Sequence, residues 1–137
     1  MAGWDDVRRI ASALPAVEET TSRDHAFWRV HGKGFVWERP LRDSDYRALG
    51  DTAPDGPILG ARVEDLLAKE ALIADDPDVF FTTPHFDGYP AVLIQLDRVS
   101  LQILEEVIVE AWLDRAPKRL AREYVEAHGD TFQRESG

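Results

Sequence analysis

The segment AFWRVHGKGFVWER, residues 26–39, constrains the fold more than any other part of the chain. Two runs of aromatic and β-branched residues flank a short stretch with two glycines, a pattern typical of a β-hairpin. In the first run, period-two alternation puts Phe27 and Arg29 on one face. Trp28 and Val30 then point to the other face, and we predict that these two are core residues.

Hydrophobic spacing and helix-ending residues predict the other elements. We predict helices in WDDVRRIASAL, VEDLLAKEALIADD, LQILEEVIVEAWLDRA and PKRLAREYVEAH, and strands in ILGAR, DVFFTT and AVLIQLDRV. Ser100 is expected to cap the third of these helices. The polar stretch EETTSRD is assigned no helix or strand, and PLRDSDYRALGDTAPDGP reads as a loop with room for one helical turn.

The resulting order is helix, three strands, helix, two strands, then one or two helices. This order predicts a two-layer α+β fold with a mostly antiparallel sheet and helices on one face. No internal repeat or linker divides the chain, so we predict a single domain over residues 1–137, with a frayed tail at about 130–137.

Composition excludes several classes of function. The chain has no cysteine, which rules out disulfides, thiolate catalysis and cysteine-based metal sites. No apolar run approaches the roughly 20 residues that span a bilayer, and no signal peptide is evident. We therefore expect a cytoplasmic protein that does not insert into membranes.

The net charge is −10, but the charges are unevenly distributed. Residues 22–42 hold five basic and two acidic side chains, whereas residues 43–90 hold eleven acidic and three basic ones. An acidic chain repels phosphate backbones at long range. Any surface that binds anions should therefore come from the first third of the chain.

The sequence lacks the motifs of common catalytic sites. It contains no phosphate-binding loop, no dinucleotide fingerprint and no HExxH. Ser22, Asp24 and His25 are the residue types of a triad, but neighbours on one turn cannot form its geometry. His85 and Asp87 could be two metal ligands, yet no spacing points to a third. We expect no enzymatic activity, no catalytic or metal-binding residues and no cofactor.

The hairpin is the one stretch with features of nucleic-acid binding. Aromatic rings that can stack on bases are interleaved with cations that can contact phosphates. The candidate nucleic-acid-binding residues are Arg29, Lys33, Trp37 and Arg39. The competing interpretation is that the aromatic residues are buried and that the arginine merely faces solvent.

Three segments together resemble a known family. They are LPAVEETTSRDHAFWRVHGKGFVWE, EALIADDPDVFFTTPHFDGYPAVLIQLDRV and AWLDRAPKRLA. In order and spacing they are similar to the MmcQ/YjbR family of small bacterial proteins, over roughly residues 7–120. The resemblance implies a fold similar to that of secretion chaperones. It also implies a DNA-binding label, which members commonly carry, and no established enzymatic activity.

The turn TTPHFDGYP belongs to the pattern of this family. Backbone geometry sufficiently explains Gly88 and Pro90. It does not explain His85, Phe86 and Tyr89, which we predict to form a recognition turn.

Three functions remain open at this point. A DNA-associating domain would show a contiguous positive face built from Arg29, Lys33 and Arg39. A protein- or peptide-binding module, including one that self-associates, would show an apolar groove or dimer face. An enzyme or small-molecule binder would show a deep pocket that His25 or His85 enters together with a carboxylate. We rank the third last and expect a non-enzymatic binding domain, with DNA as the ligand that the family resemblance implies.

Overall fold

The structure is a computed structural model that describes residues 2–128. Its helices are α1 (Trp4–Ser12), α2 (Asp43–Leu49), α3 (Leu66–Asp75), α4 (Leu101–Arg115) and α5 (Lys118–Ala127). Its strands are β1 (Val17–Ser22), β2 (His25–Val30), β3 (Lys33–Glu38), β4 (Ile58–Arg62), β5 (Phe80–Phe81) and β6 (Ala91–Gln95). Short 3₁₀ turns lie at Gly50–Thr52 and Pro84–Phe86. The tail predicted to fray, at about 130–137, lies outside the described residues.

The strands form one six-stranded antiparallel sheet in the order β1-β2-β3-β4-β6-β5. The predicted α+β class, with a mostly antiparallel sheet, is therefore confirmed. In the described range, no helix is long and apolar enough to cross a bilayer.

Two tight turns connect the first three strands. Arg23 and Asp24 join β1 to β2, and His31 and Gly32 join β2 to β3. All four residues have positive φ angles, between 48° and 77°. Positive φ at both central residues is the signature of the type I′ turn, whose twist matches that of the flanking strands.

A β-bulge interrupts the pairing of β2 and β3. Trp28 lies opposite Val36, but the next residue, Arg29, lies opposite Gly34. Phe35 is therefore the extra residue, and the bulge turns its side chain into the core beside Val36. Beyond the bulge the side chains alternate again, so Val36 and Trp37 point to opposite faces of the sheet.

One face of the sheet is covered by helices and holds the main core. Trp28 and Val30 are fully buried there, as the alternation predicts. Helices α1 and α4 pack on this face, and the Trp112 indole N–H donates to the Pro15 carbonyl at 3.1 Å. This bond joins α4 to the segment that follows α1.

The caps of the two central helices follow from their sequences. Ser100 accepts a hydrogen bond from the Ile103 N–H at 3.2 Å, which confirms the predicted cap of α4. Asp65 likewise accepts from the Ala68 N–H at 2.8 Å and begins α3.

Three elements differ from the sequence-based prediction. The polar stretch for which no helix or strand was predicted forms most of β1, an edge strand whose pattern of exposed residues carries little hydrophobic signal. The predicted single turn is the seven-residue helix α2, and Asp45 caps it by accepting from the Arg42 N–H at 2.9 Å. In addition, the predicted strand DVFFTT is reduced to the two residues of β5.

Candidate functional site

The second face of the sheet carries a row of residues that crosses all six strands. In the pairing register, the row is Thr20, Phe27, Trp37, Gly60, Leu93 and Phe81. We call this side the open face, because the rings of Phe27 and Trp37 are only half-buried there. Their centroids are 6.3 Å apart and their planes differ by 29°.

Glycines allow both rings to lie close to the sheet. A Cβ added at Gly34 would lie 2.2 Å from the Phe27 Cζ. One added at Gly60 would lie 2.5 Å from the Trp37 indole. The rings therefore occupy the space that other side chains would fill, and they form an aromatic platform on the open face.

The turn at residues 84–89 forms a wall beside this platform. The turn buries Phe86 and leaves Tyr89 44% exposed. The His85 and Phe86 rings meet edge to face, with centroids 4.9 Å apart. Together with Leu93 and Ile58, Phe86 belongs to a small apolar cluster that is separate from the main core.

A buried lysine on α3 holds the turn in place. The Lys69 ammonium donates to the carbonyl of Phe86 at 2.6 Å and to that of Tyr89 at 3.0 Å. Lys69 is 5% exposed, and burial lowers the pKa of its amine below the ordinary value of 10.5. The Asp87 carboxylate acts in the opposite direction. The turn is thus anchored through its backbone, while the side chains of His85 and Tyr89 are left to face outward.

A buried ion pair anchors the segment that follows β3. The Arg39 guanidinium donates to Asp45 at 3.0 Å and also contacts the Pro40 carbonyl. It lies over the Phe86 ring, with Cζ 5.2 Å from the centroid. Burial by itself would raise the pKa of the Asp45 carboxyl. The Arg42 N–H and the Arg39 charge outweigh it and lower that pKa.

The platform and the turn border the same cleft, whose volume is about 1020 Å³. Four arginines and two carboxylates line it: Arg23, Arg39, Arg42, Arg115, Glu38 and Asp87. Asp45 neutralises Arg39, but the three other arginines still outnumber the two carboxylates, so the cleft has a small local excess of positive charge in a chain whose net charge is −10. Its aromatic and basic composition differs from that of the acidic surface elsewhere.

Two histidines, His25 and His85, also line the cleft, and His25 lies beside an acid. The His25 Nδ1 lies 3.6 Å from the Glu38 Oε1, and both side chains are partly exposed. Glu38 in turn accepts from the Ala26 N–H at 3.1 Å, which fixes its position. The acid beside His25 is therefore Glu38 from β3, and not the neighbouring Asp24. Within residues 2–128, no group of three or more histidine or acidic side chains could hold a metal ion.

The structure brings together five of the seven predicted site residues. Trp37, Arg39, His85, Phe86 and Tyr89 all line the cleft. The other two lie outside its lining. Arg29 is paired with Glu18 across the β1–β2 hairpin, and Lys33 is exposed at the start of β3.

Arg29, Lys33 and Arg39 do not form the contiguous positive face described for a DNA-associating domain, because Arg39 is buried and only 6% exposed. The residues that do bring positive charge to the cleft rim are Arg23 and Arg42, which sequence reasoning did not select. Phe27, Gly34 and Gly60 were also missed. A signal existed for them, since glycine next to an aromatic residue on a paired strand is a known arrangement.

Comparisons with known proteins agree with this architecture. A family model described as YjbR matches residues 12–114. The chain belongs to the YjbR family. Uncharacterised proteins of Mycobacterium bovis and Mycobacterium tuberculosis are 52% identical to this YjbR protein over 132 residues. These residues are 94% of this chain and 100% of each relative.

A solved structure supports the YjbR fold. It is the crystal structure of a Deinococcus radiodurans protein with a domain described as DUF419. The TM-score is 0.61 at 22% identity, and the match covers 82% of this chain and 78% of that one. At this identity the likeness shows the shared fold alone. The family resemblance inferred from the sequence is confirmed.

Proposed function

We propose that this YjbR protein is a non-enzymatic binding domain whose cleft holds unstacked bases of single-stranded DNA. The observation that carries the proposal is the aromatic platform, two adjacent half-buried rings whose planes differ by 29°, beside a basic rim. Stacking of a base on an aromatic side chain contributes about 1–3 kcal/mol and tolerates any sequence. A platform of two rings suits one or two bases.

The charge distribution supports a single strand over a duplex. Arg23 and Arg42 are both exposed at the rim, so both guanidinium groups can approach phosphates. The overall charge of −10 repels a rigid duplex, whose phosphates extend far beyond the cleft. A single strand can instead enter the cleft locally and present its bases to the rings.

The anchoring of the cleft wall supports binding without a large rearrangement. Lys69 fixes the backbone of the turn from below, and the Arg39–Asp45 pair fixes the segment beside it. A preorganised site loses less conformational entropy when the ligand binds. The buried Arg39 supports the site, while the phosphate contacts fall to the rim arginines.

The experiment that tests this proposal is fluorescence anisotropy with a labelled single-stranded oligonucleotide at two salt concentrations. We expect Trp37→Leu to weaken binding about tenfold, the loss of roughly one stacking contact. Tyr46→Leu is the matched control, because Tyr46 is exposed on α2 and does not line the cleft. The variant Arg42→Gln should lower the slope of log K against log salt by about 0.7. Arg119→Gln on α5 should leave that slope unchanged.

Three results would contradict the proposal. One is the absence of binding even at low salt. The other is binding that Trp37→Leu and Tyr46→Leu weaken equally, since the platform would then have no part in it. Tighter binding to the duplex of the same sequence would also place the contact away from the cleft.

A small planar anion is a second candidate ligand. It is favoured by the pairing of His25 with Glu38 at the cleft wall and by a volume of about 1020 Å³. Small-molecule sites typically occupy about 300–1000 Å³, so one such molecule would fit. A free mononucleotide that competes with the oligonucleotide at equal affinity would favour this candidate over a strand.

A further inference from the structure

A second groove lies on the helix-covered side of the molecule, between α3 and α4, with α5 at one end. Its volume is about 1130 Å³, and Phe80 and Val107 lie at its base. Both of these residues are buried and belong to the main core. The groove therefore opens directly over the main core. It is separate from the aromatic cleft.

The two helices face the groove with regular spacing. From α3 the lining residues are Ala68, Ala71, Leu72 and Asp75, and from α4 they include Ile103, Glu106, Val107 and Glu110. Intervals of three, four and seven residues mark one continuous face of each helix. The alanines of α3 leave room for side chains that enter from outside, and Ile103 remains 39% exposed.

Charge is distributed unevenly around the groove. Five acidic residues line it: Glu64, Asp75, Glu106, Glu110 and Asp114. The three basic residues are Arg62, Lys118 and Arg122. Arg62 is engaged within the protein, because its Nε lies 3.9 Å from Asp114 and its guanidinium lies over the Tyr89 ring. Lys118 and Arg122 are both on α5. The walls formed by α3 and α4 therefore carry only acidic charges.

We propose that this groove binds a basic amphipathic helix of a partner protein. An apolar stripe at helical spacing would enter between α3 and α4, and lysine or arginine side chains on its flanks would meet the acidic walls. Charge complementarity selects this partner over an acidic or neutral one. The inference does not rest on the function of the aromatic cleft, since the two sites share no lining residue.

The test uses a labelled model peptide of about 15 residues, the length at which an isolated helix becomes marginally stable. Leucines occupy one helical face and lysines the rest. Two control peptides are matched to it. The first carries glutamates in place of the lysines. The second has the same composition, but its leucines are spread around the helix. Anisotropy should show binding of the amphipathic basic peptide and at least about tenfold weaker binding of the other two.

Variants of the protein then locate the contact. Ala71→Trp fills the groove at an exposed position, and the double variant Asp75→Lys with Glu106→Lys reverses the charge of both walls. Each should weaken binding about tenfold. The control is Asp51→Lys with Asp55→Lys, which makes the same change in net charge outside the groove and should alter binding less than about twofold. Thermal melts confirm that each variant folds.

Three results would overturn the inference. The first is equal weakening by the groove and control charge reversals, which would show general attraction to an acidic protein. The second is equal binding of the two lysine peptides, which would show that no helical face is recognised. The third is self-association of the protein that groove variants abolish, without peptide binding, because a second copy would then be the occupant.

Discussion

Trp28 and Trp37 lie on paired strands but on opposite faces of the same sheet, and they differ in what surrounds them. Trp28 is fully buried under the helices, and its indole N–H donates to Glu19 at 3.1 Å. Trp37 packs against Gly60, and its half-buried ring lines the cleft. The same residue type therefore specifies the fold on one face and offers a contact surface on the other.

The largest expected effect separates these two tryptophans directly. Trp28→Ala should lower the free energy of unfolding by about 3–5 kcal/mol, since it opens a cavity in a packed core. Trp37→Ala should lower it by only about 1–2 kcal/mol, because much of the ring is already exposed. Urea denaturation measures both values. Equal costs would mean that the open face contributes to folding as the core does.

The next prediction concerns the ion pair beneath the open face. Asp45→Ala should lower the free energy of unfolding by about 3 kcal/mol, because it leaves the Arg39 charge buried without its partner. The variant Tyr46→Ala, next to it on an exposed position of α2, should cost far less. Comparable losses would show that the pair adds little to the anchoring of this segment.

The same pair gives the stability a defined pH dependence. The pKa of the folded Asp45 lies below its ordinary value of 3.8, so its stabilising effect is present above that pH. The effect is lost as the pH falls from about 4 through the folded pKa. Acid unfolding of Asp45→Asn should accordingly be less steep in this range than that of the native chain. Parallel curves would assign the acid sensitivity to other carboxylates.

A smaller change should disturb the platform and spare the core. Gly60→Ala forces the Trp37 indole to move, because the added Cβ would lie 2.5 Å from it. We expect binding of single-stranded DNA to weaken several-fold and the free energy of unfolding to fall by roughly 1–2 kcal/mol. No aromatic ring or charge is removed, so unchanged binding would show that the orientation of the indole is unimportant.

The smallest expected effect belongs to a turn outside both faces. His31 has a φ of 48°, and His31→Asn creates the Asn-Gly pair that type I′ turns favour. The free energy of unfolding should rise by about 0.5 kcal/mol, and Gly32→Ala should lower it by about 1 kcal/mol. Neither residue lines the cleft, so ligand binding should not change. A change in binding would link the hairpin tip to the open face.

Much of the fold could be predicted because local patterns determine it. The alternation in residues 27–30 assigned the core face of β2 correctly, and the serine at position 100 located the start of α4. Strand β1 was missed for an equally physical reason. Its residues Glu18, Glu19 and Thr21 suit an exposed edge, and polar edge strands resemble loops in sequence.

The site was less accessible to sequence reasoning because tertiary contacts create it. The cleft unites β2, β3 and the turn at residues 84–89, which are nearly 50 residues apart in the chain. No local pattern indicates that Asp45 would neutralise Arg39 or that Glu18 would neutralise Arg29. The aromatic residue at 37 was selected correctly as a lining residue, but Phe27 beside it was not.

The hydrogen bond between Trp112 and Pro15 also bears on how the chain acquires its structure during synthesis. It joins residues 97 positions apart, so the segment that follows α1 lacks this partner until α4 has been made. At about 5–20 residues per second, that interval is roughly 5–20 s. The hairpins of β1, β2 and β3 need only neighbouring residues and can form early in it. Their apolar face then lacks the cover of α4, which makes the nascent chain most prone to aggregation just before its last helices are translated.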